Sequence, residues 1–141
     1  MSLAQLPRPT LEKSMQAKRT LKPKRILYVE DDGDTSEMVS YILAGAKYEV
    51  TASNSYNQAL RTAKNRRFGL YIIDHTLPDG QGFDLCKEIR KFDPKTPIIF
   101  CSGYTDDEHQ KTALQCGAQA FLAKPFDSGD LLAIVSRISF R

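Results

Sequence analysis

The chain has 141 residues, 41% of them hydrophobic and 26% charged, which is ordinary for a single globular domain with a real core. No apolar run nears the roughly 18–20 residues that span a bilayer, and no signal-peptide core opens the chain, so a cytoplasmic location is expected. The net charge of +3 divides unevenly: residues 1–25 hold seven Lys/Arg against Glu12, a net +6, and the remainder is net −3.

Residues 1–24, with Pro7, Pro9 and Pro23 and no sustained periodicity, read as a basic linker or disordered arm, and Met1-Ser2-Leu3 is consistent with an expression scar. Such an arm could be drawn to nucleic acid or anionic lipid. A solvated linker is the simpler reading, so nucleic acid is expected as an indirect partner if at all. From Arg25 to Arg141 short apolar runs alternate with amphipathic segments, which predicts βα units around a parallel sheet. Strands are expected near 25–30, 48–53, 69–74, 97–102 and 119–123, and helices near 35–45, 56–65, 82–91, 106–116 and 128–140.

Asp34 with Glu37, Ser55 with Gln58, Thr105 with Glu108 and Asp127 with Asp130 each place a cap candidate three residues before a partner. Met38, Ile42 and Leu43 in the first helix, and Leu131, Ile134, Val135 and Ile138 in the last, recur at helical spacing and are expected to face the core. Cys86, Cys101 and Cys116 lack metal-ligand spacing and read as small buried hydrophobes in a reducing compartment.

The runs 26–29, 70–73 and 98–101 are apolar on both alternations, as strands covered on both faces should be. Tyr48 to Ser53 alternates, which suits one edge of the sheet, and the short mixed run 119–123 suits the other. The resulting fold is α/β, doubly wound in three layers, with a five-stranded parallel sheet in the order 2-1-3-4-5. That order makes the first and third strands neighbours and puts the topological switch point between their carboxyl ends.

Each apolar run ends in a polar group. Val29 leads into Glu30-Asp31-Asp32, Ile73 into Asp74, Cys101 into Ser102-Gly103, and Ala123 follows Leu122 into Lys124-Pro125. Three carboxylates in one crevice call for a cation, and oxygen-only ligation points to Mg²⁺ or Mn²⁺. Asp31 and Asp74 are the natural direct ligands, a carbonyl just after Asp74 offers a third, and Glu30 would act through water. Lys124 and the Ser102 hydroxyl suit phosphate, which completes a kit for phosphoryl transfer. No Ser or Cys is paired to a base, so a carboxylate, Asp74, is the expected nucleophile.

Val29-Glu30-Asp31-Asp32, Asp74 with Leu77-Pro78-Asp79-Gly80, Ser102-Gly103 and Lys124-Pro125-Phe126 together resemble the receiver domain of two-component response regulators, similar to the chemotaxis response regulator and flavodoxin-like in fold. The resemblance covers about residues 24–140. It implies that Asp74 accepts a phosphoryl group from a histidine kinase or phosphotransfer protein. It further implies that Asp31, Asp74 and the Thr76 backbone carbonyl hold Mg²⁺, with Glu30 arranging a ligand water. Lys124 would contact the phosphate, Ser102 would swing toward it, and Phe121 would turn inward as the switch aromatic. The surface of the fourth helix, fifth strand and fifth helix would then change. A cis Lys124–Pro125 peptide is implied as well.

Gly103 stands where the family usually carries Ala. Tyr104 and Thr76 occupy positions that tune dephosphorylation, and the bulk of Tyr104 suggests slow self-hydrolysis. His75, by strand alternation, is expected to be an exposed bystander. A Mg²⁺-dependent aspartyl phosphatase would want a second Asp at the Thr76 position and a cap insertion. An electron carrier would want a hydroxyl-rich phosphate loop where Glu30-Asp31-Asp32 stands. Nothing after Phe140 reads as an output domain, so a stand-alone receiver, one cut from a hybrid histidine kinase, and the first module of a longer regulator all remain open. Catalysis beyond its own phosphotransfer and slow autodephosphorylation is not expected.

Overall fold

A computed structural model describes residues 23–141. The expected basic arm therefore lies outside the described residues, except for the exposed Pro23 and Lys24. Strands β1 (Arg25–Val29), β2 (Glu49–Ser53), β3 (Leu70–Asp74), β4 (Ile98–Ser102) and β5 (Ala120–Ala123) form one parallel sheet in the order β2-β1-β3-β4-β5. The helices are α1 (Gly33–Gly45), α2 (Tyr56–Asn65), α3 (Gly82–Phe92), α4 (Asp107–Gln115) and α5 (Ser128–Ser136). Strand order and edges are those expected. β3 and β4 are buried throughout, whereas β2 and β5 keep partly exposed positions.

Side-chain alternation sends each strand's residues into two separate cores. Leu27, Val29, Tyr71, Ile73, Ile98 and Phe100 pack with α2, α3 and α4 residues on one face. Ile26, Tyr28, Leu70, Ile72, Ile99 and Cys101 pack with α1 and α5 residues on the other. Strands fed from both sides must be apolar at successive positions, which is why these runs lack a polar alternation. All three cysteines are buried and unbonded, as expected, and burial pushes their thiols up in pKa.

Helix starts differ from expectation at two places. Asp32, not Asp34, caps α1, accepting from the Thr35 N–H at 2.9 Å. Asp106, not Thr105, caps α4, accepting from the His109 N–H at 2.8 Å. In both, an aspartate next to the first helical residue satisfies a free amide of the first turn, and its charge favours the helix's positive end. Ser55 caps α2 as expected, but Gln58 reaches back to the Asn54 N–H rather than to Ser55. Asp127 and Asp130 close a full capping box on α5. Asp127→Ala should cost about 1 kcal/mol, read as a lower urea midpoint with an unchanged slope.

Met38 is 52% exposed, because the buried stripe of α1 runs through Val39 and Leu43. The last helix ends at Ser136, not at 140. Beyond it Phe140 stacks on Tyr48 with centroids 5.4 Å apart, and the Arg141 N–H reaches the Gly69 carbonyl at 3.2 Å. Tertiary stacking at the sheet's lower edge thus competes with another helical turn. At the turn into β5, Gly117 has φ +94°, and the Arg90 side chain lies where a Cβ would project. Arg90 donates to the carbonyls of Asp93, Thr96 and Gly117, tying α3 to β4 and to the turn before β5.

Candidate functional site: an acidic crevice at the carboxyl edge of the sheet

The parallel register places Val29 beside Ile73 and Ser102 beside Ala123, so the residues that follow emerge along one edge. Glu30 and Asp74 are buried, at 2% and 7% exposure, and Asp31 is exposed. One carboxylate oxygen from each lies within 4.8 Å of the others. Lys124 reaches across the crevice, its Nζ 2.6 Å from Asp74 Oδ1 and 2.9 Å from Glu30 Oε1. Asp32 takes no part, because its carboxylate is spent on the cap of α1. Hard carboxylate oxygens with no sulfur or imidazole among them fit Mg²⁺ or Mn²⁺.

Burial pushes Glu30 up to about 7; Asp74 adds to the rise and the hydrogen bond from Lys124 opposes it. For Lys124, burial alone would lower the pKa, but hydrogen bonds to Asp74 and Glu30 outweigh it and raise the ammonium to about 12. The cation therefore stays charged throughout the physiological range. Glu30 has a folded pKa above its unfolded one, so its ionisation costs stability. That cost is absent below about pH 4.5 and grows as pH rises toward 7. In chelator, the domain should lose on the order of 3 kcal/mol between pH 5 and pH 8 through this group. Glu30→Gln should flatten that part of the profile, and parallel urea-melt profiles for the two proteins would refute the assignment.

Ser102 is 1% exposed at the end of β4, and its Oγ accepts the Tyr104 N–H at 2.9 Å. Thr76 opens a two-strand hairpin, Thr76–Leu77 with Gly80–Gln81, directly after Asp74. The Asp79 carboxylate ties that hairpin to α2, accepting from the Tyr56 and Asn57 N–H groups at 2.7 and 3.0 Å. Phe121 is half-buried, 6.1 Å from the Phe100 ring. The Lys124–Pro125 peptide is cis, as the resemblance implied. Glu30, Asp31, Asp74 and Lys124 thus meet directly, whereas the Ser102, Thr76 and Phe121 side chains flank them without a hydrogen bond to their side chains; Ser102 is joined to Lys124 through the backbone, its carbonyl accepting the Lys124 N–H at 2.8 Å.

His75 is not an exposed bystander. It is half-buried, its Nδ1 is 3.0 Å from Thr76 Oγ1, and its ring packs against Phe83, Phe100, Tyr104 and His109. Burial lowers its pKa, with His109 adding to the effect and Asp74 opposing it. Alternation carried the ring off the carboxylates as expected, but onto an aromatic cluster rather than into water. Gly82 was missed as a site residue. A Cβ there would lie 2.1 Å from the Asp74 carbonyl oxygen and 2.9 Å from the Phe100 ring. The only sequence signal for it is a second glycine two residues after Gly80.

Sheet order and crevice together define a flavodoxin-like (βα)5 module of the chemotaxis-regulator type. The family model described as response regulator receiver domain matches residues 26–136. Vibrio cholerae CheY4 superposes with a TM-score of 0.80 at 31% identity, covering 84% of this chain and all of that one. The receiver domain of sensor histidine kinase PA1611 from Pseudomonas aeruginosa PAO1, whose structure holds magnesium in its active-site cleft, gives 0.75 at 30% identity, covering 82% of this chain and 97% of that one. Transcription factor SKN7 of Candida albicans is 33% identical over 92% of this chain and 23% of its own length. DNA-binding response regulator MtrA of Mycobacterium tuberculosis is 32% identical over 79% of this chain and 49% of its own length. The chain belongs to the response regulator receiver domain family, a signalling domain rather than a conventional enzyme. It spans between about a quarter and a half of the length of these curated relatives. Among the described residues no helix is long and apolar enough to cross a membrane.

Proposed function

We propose that the domain is the phosphoacceptor of a two-component relay and that Asp74 carries the phosphoryl group. The observation that supports this reading is the convergence of Asp74, Asp31 and Glu30 on Lys124 at the carboxyl edge of the sheet. The donor is a phosphohistidine on a histidine kinase or phosphotransfer protein. A carboxylate oxygen of Asp74 forms the new O–P bond as the P–N bond breaks, and the electron pair returns to the donor imidazole. Asp31, Asp74 and the Thr76 carbonyl would hold Mg²⁺ or Mn²⁺, with Glu30 acting through a ligand water. When bound, that ion supplies positive charge to the phosphoryl oxygens.

Lys124, already 2.6 Å from Asp74, moves its positive charge onto the incoming phosphoryl oxygens. Phosphorylation adds about −1.5 to −2 charges and three acceptor oxygens. Ser102 turns its hydroxyl toward them, giving up the Tyr104 N–H it now accepts. Phe121 then moves inward against Phe100, shifting the population between two packings of the α4, β5 and α5 surface. Tyr104, 57% exposed and stacked on His109, is placed to shield the acyl phosphate, so slow self-hydrolysis is expected. The output lies in a separate protein or in a further domain of a longer one, a receiver within a hybrid kinase included.

Beryllofluoride, a phosphoryl mimic, tests the reading. Together with Mg²⁺ at about 100 times its dissociation constant it should stabilise the domain by about 2.7 kcal/mol, and in chelator by nothing measurable. Equal stabilisation in chelator would sink the proposed metal dependence.

A further inference from the structure

The hairpin that carries the Thr76 carbonyl has little of its own to hold it. It pairs only Thr76 with Gln81 and Leu77 with Gly80, and a two-stranded ribbon that short is marginal in water. Its base is fixed by the main chain: the His75 N–H donates to the Cys101 carbonyl at 2.9 Å, and the Gly82 N–H to the His75 carbonyl at 2.8 Å. Leu77 is buried in the core, whereas Thr76 and Asp79 are exposed. The tip is held from outside, by α2.

That hold is a helix cap shared between two segments. The first turn of an α-helix leaves its leading N–H groups without partners inside the helix. In α2 the Ser55 hydroxyl takes the Gln58 N–H at 3.2 Å, as a local cap does. The Tyr56 and Asn57 N–H groups go instead to the two oxygens of Asp79, at 2.7 and 3.0 Å, across 23 and 22 positions of chain. The Asn57 N–H, with the Tyr56 N–H adding to it, holds the Asp79 carboxyl below the usual carboxylate range. The Tyr56 ring closes on the same tip, since a Cβ on Gly80 would lie 2.7 Å from it. Hairpin and helix thus complete each other.

We infer that Asp79 is a positioning residue: by clamping the hairpin tip to the first turn of α2, it fixes the Thr76 carbonyl for the metal. The inference rests on the proposed reading of Asp31, Asp74 and the Thr76 carbonyl as the metal ligands. Asp79 is not among the carboxylates that converge in the crevice, so it acts through the hairpin. Coupling of this kind is reciprocal. A metal that holds the Thr76 carbonyl also strengthens the clamp, and α2 responds to the state of the crevice although it supplies none of its carboxylates.

The test is a Mg²⁺ titration of the full chain and its variants, followed by amide NMR. Asp79→Ala should weaken Mg²⁺ binding about fivefold or more. Asp79→Asn keeps one acceptor oxygen and should fall between that variant and the parent. Ser55→Ala removes the other cap of the same turn; it should lower the unfolding midpoint to a similar degree, yet leave Mg²⁺ affinity unchanged. In the parent, Mg²⁺ should slow amide exchange at Tyr56 and Asn57, and Asp79→Ala should abolish that protection. Equal Mg²⁺ affinity in Asp79→Ala and the parent would overturn the inference. Equal weakening in Ser55→Ala would do the same, by reducing Asp79 to a plain cap, as would Tyr56 and Asn57 amides indifferent to Mg²⁺ in the parent. A parent that binds no Mg²⁺ would overturn the metal reading and this inference with it. A parent that binds Mg²⁺ but takes no phosphoryl group on Asp74 would overturn the phosphoacceptor reading alone.

Discussion

Asp74→Asn should abolish covalent labelling by acetyl phosphate, read as loss of the phosphoryl mass increment on the intact protein. The amide has nearly the same shape as the carboxylate, so the packing of β3 should survive, and Lys124 keeps Glu30 at 2.9 Å. What disappears is the nucleophilic oxygen and its charge. Metal affinity should fall as well, since one of three convergent carboxylates is gone. The upward push of Asp74 on Glu30 also ends, so the variant in chelator should be no less stable than the parent. Labelling that persists, on Ser102 or elsewhere, would remove Asp74 from its assigned role.

The second large effect lies in the backbone behind that carboxylate. Gly82 opens α3, and its N–H donates to the His75 carbonyl at 2.8 Å. A methyl group there would sit 2.1 Å from the Asp74 carbonyl oxygen. The Cβ is fixed by its own backbone and the oxygen it meets is main chain, so no rotamer change can relieve the clash, and the hairpin carrying Thr76 must shift with Asp74. Gly82→Ala should therefore cost about 3 kcal/mol or more in urea unfolding and weaken Mg²⁺ binding in titration. Gly103→Ala is the control, because nothing lies within 4 Å of its Cβ position. Its stability should stay within about 0.5 kcal/mol of the parent. Similar behaviour of the two variants would contradict the close approach.

Sheet order was legible because burial leaves a mark at every residue of a strand. Three runs apolar on both alternations had to lie inside, and the alternating Tyr48–Ser53 run had to lie at an edge. From that order alone Glu30, Asp31, Asp74 and Lys124 had to meet. The residues misplaced are those decided by a neighbour distant in sequence or by a choice between adjacent acids. Asp32 and Asp34 both satisfy a cap pattern, and only the path out of β1 selects Asp32. His75 was assigned from the alternation of one strand, whereas its surroundings come from α3, β4 and α4. Phe140 continues the apolar pattern of the last helix but is claimed by Tyr48, more than 90 positions earlier. Gly82 carries no side chain to signal anything; its meaning is the space it leaves empty.

The sheet also works as a bulkhead. Phe121 and Leu122 are consecutive, yet one packs among α2, α3 and α4 residues and the other among those of α1 and α5. A rotation of Phe121 would thus begin in its own compartment and reach α5 only around the open edge at β5, leaving α1 and the core packed on it to hold their shape. Natural selection can then remodel the α1 flank for one acquaintance without retuning the moving flank for another. The same partition that makes the strands look featureless in sequence gives the domain two surfaces with separate histories.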